Sequence, residues 1–254
     1  MEVAQFRGIF PGSFTMGNII CGFIAIISAF EGEITTACWM IILAAFLDGL
    51  DGKVARFASS TSRFGVELDS LADMISFGLA PAVIMYILKL HSLGKWGWVI
   101  SIVYIMASAY RLARFNLLAQ TEEKKNFLGL PVPGAALALV SYVIFSYKIW
   151  GQLEYSEYLV SMVILFSALM VSQVEYDALP DRFNTRRNRL KLIFLLFAGI
   201  ALLWKPRHLL FPIIALYIII GIAREAYRFL YLGVGYVKKR HGQSRDESEK
   251  VEDE

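Results

Sequence analysis

Histidine and cysteine are scarce in this chain: three and two residues out of 254. Cys21 and Cys38 both lie inside apolar runs, so no disulfide framework staples a small fold. His91, His208 and His241 are scattered, without the close spacing of a histidine metal site. Charge is thin as well. Only 19% of residues are charged and the net charge is +3, too little to argue for nucleic acid as a partner. No repeat of fixed period and no separate soluble domain stands out. What is plentiful is apolar side chain: 57% of residues, with a mean hydropathy of +0.54. A soluble domain lies nearer 45–50% apolar, and several runs here approach the roughly 20 residues that span a bilayer. The composition therefore predicts an all-α, polytopic integral membrane protein with no room for a sheet.

Eight membrane segments can be drawn: Ser13–Phe30, Ile34–Arg56, Val66–Leu88, Gly94–Leu117, Val132–Trp150, Glu157–Gln173, Leu190–Trp204 and Leu209–Leu232. The first resembles a signal peptide in having Arg7 before an apolar run. Thr15 and Asn18 interrupt that run, however, and no small-residue cleavage site follows Ala29. With the N-terminus in the cytosol, 20 Lys and Arg fall on the inner side. Five (Lys89, Lys95, Lys148, Lys205 and Arg207) fall on the outer side. The positive-inside rule favours that topology. Residues 1–235 then form one transmembrane domain and 236–254 a cytosolic tail, basic at Lys238–Arg240 and polar beyond Gly242. The tail reads as disordered, with its basic stretch resting on anionic headgroups.

Against this apolar background four aspartates stand out at the edges of the second and third segments: Asp48, Asp51, Asp69 and Asp73. An ionised Asp at the centre of a membrane helix costs roughly 2.5–3.5 kcal/mol, so four unpaired ones would rival the stability of a domain. At about 100° per residue, Asp48 and Asp51 lie roughly 60° apart on one helix, and Asp69 and Asp73 roughly 40° apart on the next. Each pair shares a face, and a short turn brings the faces together within roughly 12 Å of the cytosolic interface, counting 1.5 Å per residue. Converging carboxylates suit hard cations such as Mg²⁺ or Mn²⁺. A pair of such ions about 3.5–4 Å apart forms a clamp for phosphoryl chemistry.

The neighbours of the aspartates fit a phosphate-bearing ligand. Gly49, Gly52 and Ala55 are small where a membrane helix usually carries Leu. Gly52 and Ala55, three apart, leave a shallow notch beside Asp51 for a nucleotide or pyrophosphate, or equally for close helix packing. Arg56, five residues past Asp51, can reach a phosphate; Lys53 and Arg63 read as interfacial cations. Thr15 and Asn18 share a face of the first segment. A buried Asn needs a partner, which points to the nucleotide or to an aspartate. Pro131 and Pro133 predict a rigid start to the fifth segment.

The pattern Asp48-x-x-Asp51-Gly52-x-x-Ala55-Arg56, eight residues, Gly65-x-x-x-Asp69-x-x-x-Asp73 resembles the signature of the CDP-alcohol phosphotransferase family at each of its eight specified positions. The flanking stretches Pro11–Phe23, Arg111-Leu-Ala-Arg114-Phe115-Asn116 and Phe127–Ala136 look like its phosphatidylserine synthase branch. The resemblance spans roughly residues 8–175. It implies transfer of a phosphatidyl group from CDP-diacylglycerol to the hydroxyl of L-serine, releasing CMP, with two divalent cations. By the same resemblance Asp48, Asp51, Asp69 and Asp73 are metal ligands, Asp73 is also the general base, Gly52, Ala55 and Arg56 contact the CDP-lipid, and the protein is a homodimer.

The acceptor site is a separate inference. Serine carries a carboxylate, so a cation must meet it; Arg111 and Arg114, with Asn116 beyond, sit near the cytosolic end of the fourth segment, where one Arg would bind that carboxylate or the lipid phosphate, or both serve only the positive-inside bias. Three other readings remain. One is the same chemistry on an archaeal CDP-ether lipid. Another is a different acceptor, glycerol phosphate or inositol phosphate, which would want a larger basic cluster. The last is a transporter with the aspartates as a cation path; against it, all four acids sit at one end.

Overall fold

The computed structural model describes residues 2–58, 63–120, 127–176 and 205–227. The chain is helical almost throughout: α1 (Glu2–Phe30), α2 (Ile34–Ala58), α3 (Arg63–Asp73), a π-helical turn (Met74–Leu79), α4 (Ala80–Leu88), a short 3₁₀ turn (Leu90–Leu93), α5 (Lys95–Gln120), α6 (Val132–Trp150), α7 (Glu157–Val171) and α8 (Pro206–Tyr227). A two-residue antiparallel ladder pairs β1 (Phe127–Leu128) with β2 (Glu175–Tyr176). Six helical stretches among the described residues are long and apolar enough to cross a membrane.

Several boundaries differ from the sequence reading. Helix α1 starts at Glu2, well before the apolar run. The third segment is broken by the π turn rather than continuous. Helix α7 has 15 residues, about 22 Å at 1.5 Å per residue, shorter than the ~30 Å hydrocarbon core. The predicted seventh segment, Leu190–Trp204, and the tail lie outside the described residues, as do the last residues of the eighth. The fifth segment matches at both ends. Pro131 precedes it with extended backbone and Pro133 occupies its first turn, where the missing N–H has no intrahelical partner to lose.

Burial is inverted relative to a soluble bundle. On α1 the side chains of Met16, Ile20, Phe23, Ile27 and Phe30 are exposed, one stripe at helical spacing, whereas Thr15 and Asn18 are buried on the opposite face with Cys21, Ala25 and Ala29. Water would reverse that arrangement; hydrocarbon favours it, because polar groups there must find partners inside the protein. The core between helices is rich in alanine, among them Ala37, Ala44, Ala72, Ala80, Ala107, Ala135 and Ala138. Small residues allow helix backbones to approach closely where no hydrophobic effect drives association.

The helices α1 and α2 form the most extensive pairing, and α3, the π turn and α4 pack along α1. Helix α5 packs against α7, and α6 against α2. One end of the bundle gathers the C-terminal part of α2, the start of α3, the end of α5 and the end of α7. The other end carries an aromatic cluster: Trp150 and Tyr155 meet edge to face at 5.8 Å, and Tyr155 and Tyr158 stack at 5.6 Å. Such aromatics mark a membrane–water interface. There too Lys89 Nζ reaches Glu157 Oε1 at 2.8 Å, tying α4 to α7.

Candidate metal centre

Asp48 ends the apolar part of α2, and Asp69 and Asp73 lie one turn apart on α3. One carboxylate oxygen from each lies within 4.8 Å of the others. Asp48 and Asp69 are half-buried and Asp73 is buried. Asp51, one turn beyond Asp48, is buried beside them, close enough to interact electrostatically with Asp48 and Asp69. Its Oδ2 accepts a hydrogen bond from Thr15 Oγ1, and its Oδ1 is buried with no donor among the described residues.

Helix α1 supplies the polar lining opposite. Asn18 Nδ2 donates to Asp73 Oδ1 at 3.2 Å, while Asn18 Oδ1 is a second buried acceptor with no donor among the described residues. The partner the sequence demanded for Asn18 is thus an aspartate, and the same holds for Thr15. The donor set is all oxygen and mostly carboxylate, with acceptors left unsatisfied in a low-dielectric bundle where an unpaired polar atom is costly. Those features fit a hard divalent cation, and the cluster is able to hold one.

The two arginines of α5 have separate fates. Arg111 is buried, its guanidinium 5.1 Å over the Phe115 ring, close enough to Asp73 to interact with it electrostatically. Its Nε is buried without a hydrogen-bond partner among the described residues. Arg114 closes the end of α7: Nη1 donates to Val171 O at 3.0 Å, and Nη2 to Met170 O and Ser172 O at 3.1 Å each. Carbonyls at a helix C-terminus lack intrahelical donors, and a cationic fork suits them. Asn116 Nδ2 donates to Ser70 Oγ at 2.9 Å, joining α5 to α3 beside Asp69.

Gly49 has open space where a Cβ would stand; the notch expected of Gly52 and Ala55 beside Asp51 lies outside the described side chains. Gly52, Ala55 and Arg56, which the family resemblance assigns to the CDP-lipid, continue α2 in their backbone, and their surroundings lie outside what is described. One neighbour had no sequence signal at all. Tyr217 of α8 comes within electrostatic reach of Arg111, and a tyrosine in an apolar run is indistinguishable from an interfacial one.

Apolar helices meeting at a membrane-embedded carboxylate cluster, with the Asp-x-x-Asp and Asp-x-x-x-Asp pairs supplying it, define the class. The chain belongs to the CDP-alcohol phosphatidyltransferase family, whose model matches residues 9–223. Among its relatives is a Helicobacter pylori protein named CDP-diacylglycerol–serine O-phosphatidyltransferase, 36% identical over 220 residues, 85% of this chain and 90% of that one. A Methanocaldococcus jannaschii protein of the same name is 37% identical over 171 residues, 66% of this chain and 73% of that one. An archaetidylserine synthase of Methanothermobacter thermautotrophicus is 34% identical over 172 residues, 65% of this chain and 68% of that one.

Proposed function

We propose that this chain transfers a phosphatidyl group from CDP-diacylglycerol to the hydroxyl of L-serine, giving phosphatidylserine and CMP. The observation that carries the reading is the convergence of Asp48, Asp69 and Asp73 within 4.8 Å at one end of a membrane bundle; the names of the relatives support the acceptor. Asp48, Asp51, Asp69 and Asp73 would hold two divalent ions, Mg²⁺ or Mn²⁺. When bound, they supply charge neutralisation of the diphosphate and of the departing CMP.

The chain's own groups do the rest. The serine oxygen attacks the phosphorus that bears the diacylglycerol. The bond from that phosphorus to the bridging oxygen breaks, CMP leaves with that oxygen, and the hydroxyl proton passes to a carboxylate oxygen of Asp73. Asn18 holds Asp73 through its Oδ1, leaving Oδ2 to take the proton. Thr15 orients Asp51 in the same manner. Gly52 and Ala55 allow the nucleotide close to α2, and Arg56 meets the diphosphate. Arg111, buried near Asp73 with an unused Nε, receives the serine carboxylate. Arg114 is withdrawn from that role, since three carbonyls of α7 occupy its guanidinium, and Asn116 acts by tying α5 to α3.

The excess of basic residues in loops on the aspartate side supports an active site and N-terminus facing the cytosol. At that depth the acyl chains stay in lipid while serine arrives from water. A homodimer belongs to the same reading on family resemblance alone. The name of the Methanothermobacter relative, archaetidylserine synthase, is the ground for one variant of this reading, a CDP-linked ether lipid as donor.

The test is purified protein with CDP-diacylglycerol or its ether analogue and labelled L-serine, with and without Mn²⁺ or Mg²⁺. CMP release that needs serine and metal, and that Asp73→Asn abolishes, is expected. Equal turnover with glycerol 3-phosphate, or none with serine, would overturn the acceptor assignment.

A further inference from the structure

Directly after Asp73 the backbone leaves the α-helix for a π-helical turn, Met74–Leu79, and then resumes as α4. A π turn inserts one residue and weakens local hydrogen bonding, so something must favour it. Pro81 has no N–H to close an α-turn on Phe77 O, and the burial pattern supplies a second reason. Buried pairs recur every four residues: Ala72–Asp73, Ser76–Phe77, Ala80–Pro81, Ile84–Met85. At about 100° per residue a four-residue repeat drifts roughly 40° per step, about 120° over the three steps. The one extra residue takes back about 100°, so that α4 can seat Ile84 and Met85 in the core while α3 still turns Asp69 and Asp73 toward Asp48.

Two side-chain hydrogen bonds tie this turn to the rest of the bundle, one from α5 to the turn and one from the turn to α1. Tyr104 of α5, fully buried, donates its hydroxyl to Phe77 O at 3.2 Å. Ser76 donates to the main-chain carbonyl of Asn18 at 2.8 Å, and both residues are wholly inaccessible. One turn along α1 from Asn18 is Gly22, where a Cβ would stand 2.9 Å from Ser76 Cα. Only glycine lets the two backbones come so close. The π turn is thus pressed onto α1 at the level of Asn18, and the Asn18 side chain returns to Asp73, three residues before Ser76.

We infer that the π-helical turn is a positioning device for the metal-binding carboxylates, with Ser76 and Tyr104 as its positioning residues. Tyr104 satisfies a carbonyl of the open turn. Ser76 docks the turn on α1, and α1 then presents Asn18 to Asp73 and Thr15 to Asp51. Neither Ser76 nor Tyr104 need touch substrate. The inference rests on the reading that the aspartates bind divalent ions, and it does not depend on which alcohol is the acceptor.

The test is Mn²⁺ binding to the full chain in lipid nanodiscs, followed by the electron paramagnetic resonance signal of free Mn²⁺, with thermal unfolding measured alongside. Ser76→Ala and Tyr104→Phe each delete one oxygen. Both are expected to bind Mn²⁺ roughly tenfold or more weakly than the unmodified chain, the scale typical of groups that orient metal ligands. At saturating Mn²⁺ the KM for CDP-lipid should be unchanged. A packing role alone would lower the unfolding temperature and leave Mn²⁺ affinity where it was, and that result overturns the inference. Should Tyr104→Phe fail to fold, Ser76→Ala decides alone. If it also fails, the joint holds the fold rather than the carboxylates and the inference is lost. An unmodified chain that binds no Mn²⁺ overturns the metal reading itself. One that binds Mn²⁺ yet transfers nothing to serine overturns only the acceptor.

Discussion

Asn18 on α1 and Asp73 on α3 lie 55 positions apart in the chain and 3.2 Å apart in space, the amide donating to a carboxylate oxygen. Both are buried. This bond sets the direction of one aspartate in a cluster whose members would otherwise repel one another. Its consequence is testable without any assumption about the acceptor. Asn18→Ala should lower kcat/KM for CMP release by roughly 10–100-fold, as for other groups that orient metal ligands, and raise the Mn²⁺ concentration needed for half-maximal rate. Thr15→Val should act in the same direction through Asp51, because it keeps the shape and removes the hydroxyl, whereas Thr15→Ser should stay near the unmodified rate.

Arg111 and Arg114 should separate cleanly. Arg111→Lys removes a planar fork from a buried position near Asp73 and should raise the serine KM on the order of tenfold, about 1.4 kcal/mol, with the KM for CDP-lipid little changed. Arg114→Lys loses bonds to three carbonyls. Charged hydrogen bonds contribute about 1.5–3 kcal/mol each, so the unfolding temperature should fall by several degrees while the serine KM of the folded protein holds. Steady-state kinetics and thermal unfolding on both variants check this. Arg114→Lys raising the serine KM with unchanged stability would reverse the assignment.

Gly129 marks the same junction. Its φ is +80°, and a Cβ there would stand 2.5 Å from Met170 O and 2.6 Å from an Arg114 nitrogen. Its N–H donates to Val174 O at 2.8 Å. Gly129→Ala should destabilise the chain by about 1–3 kcal/mol from backbone conformation alone, with more from the blocked approach of α7. Unfolding measured in lipid or mild detergent would show it. A neutral result would mean that the junction rearranges freely.

Metal removal should expose the mutual repulsion of the carboxylates. Chelation is expected to abolish turnover and lower the unfolding temperature, and Mn²⁺ to restore both. A ligand at 100 times its Kd stabilises by about 2.7 kcal/mol. Asp69→Asn removes one charge from the trio, so the metal-free variant should unfold at a higher temperature than the metal-free parent and gain nothing from Mn²⁺. A continued Mn²⁺-induced rise in that variant would place the cation elsewhere.

Much of this protein was legible in the order of its residues. Apolar run length marked six stretches that the structure shows as helices able to cross a membrane, and α6 begins and ends where Pro131 and Trp150 predicted. The spacing of Asp48 and Asp51, and of Asp69 and Asp73, put each pair on a single helical face, which is a local property of a 3.6-residue turn. What tertiary structure alone decided is which partner each side chain meets. Arg111 and Arg114 look equivalent in sequence, three apart at one helix end, until α7 arrives and takes the second. The break after Asp73 is invisible to hydropathy, because a π turn and an α-helix of the same residues are equally apolar; Pro81, with no N–H for Phe77 O, favours it locally, and the bonds to α1 and α5 hold it in place. Periodicity reports the face that a residue occupies, but the element opposite that face is brought there by packing between distant parts of the chain.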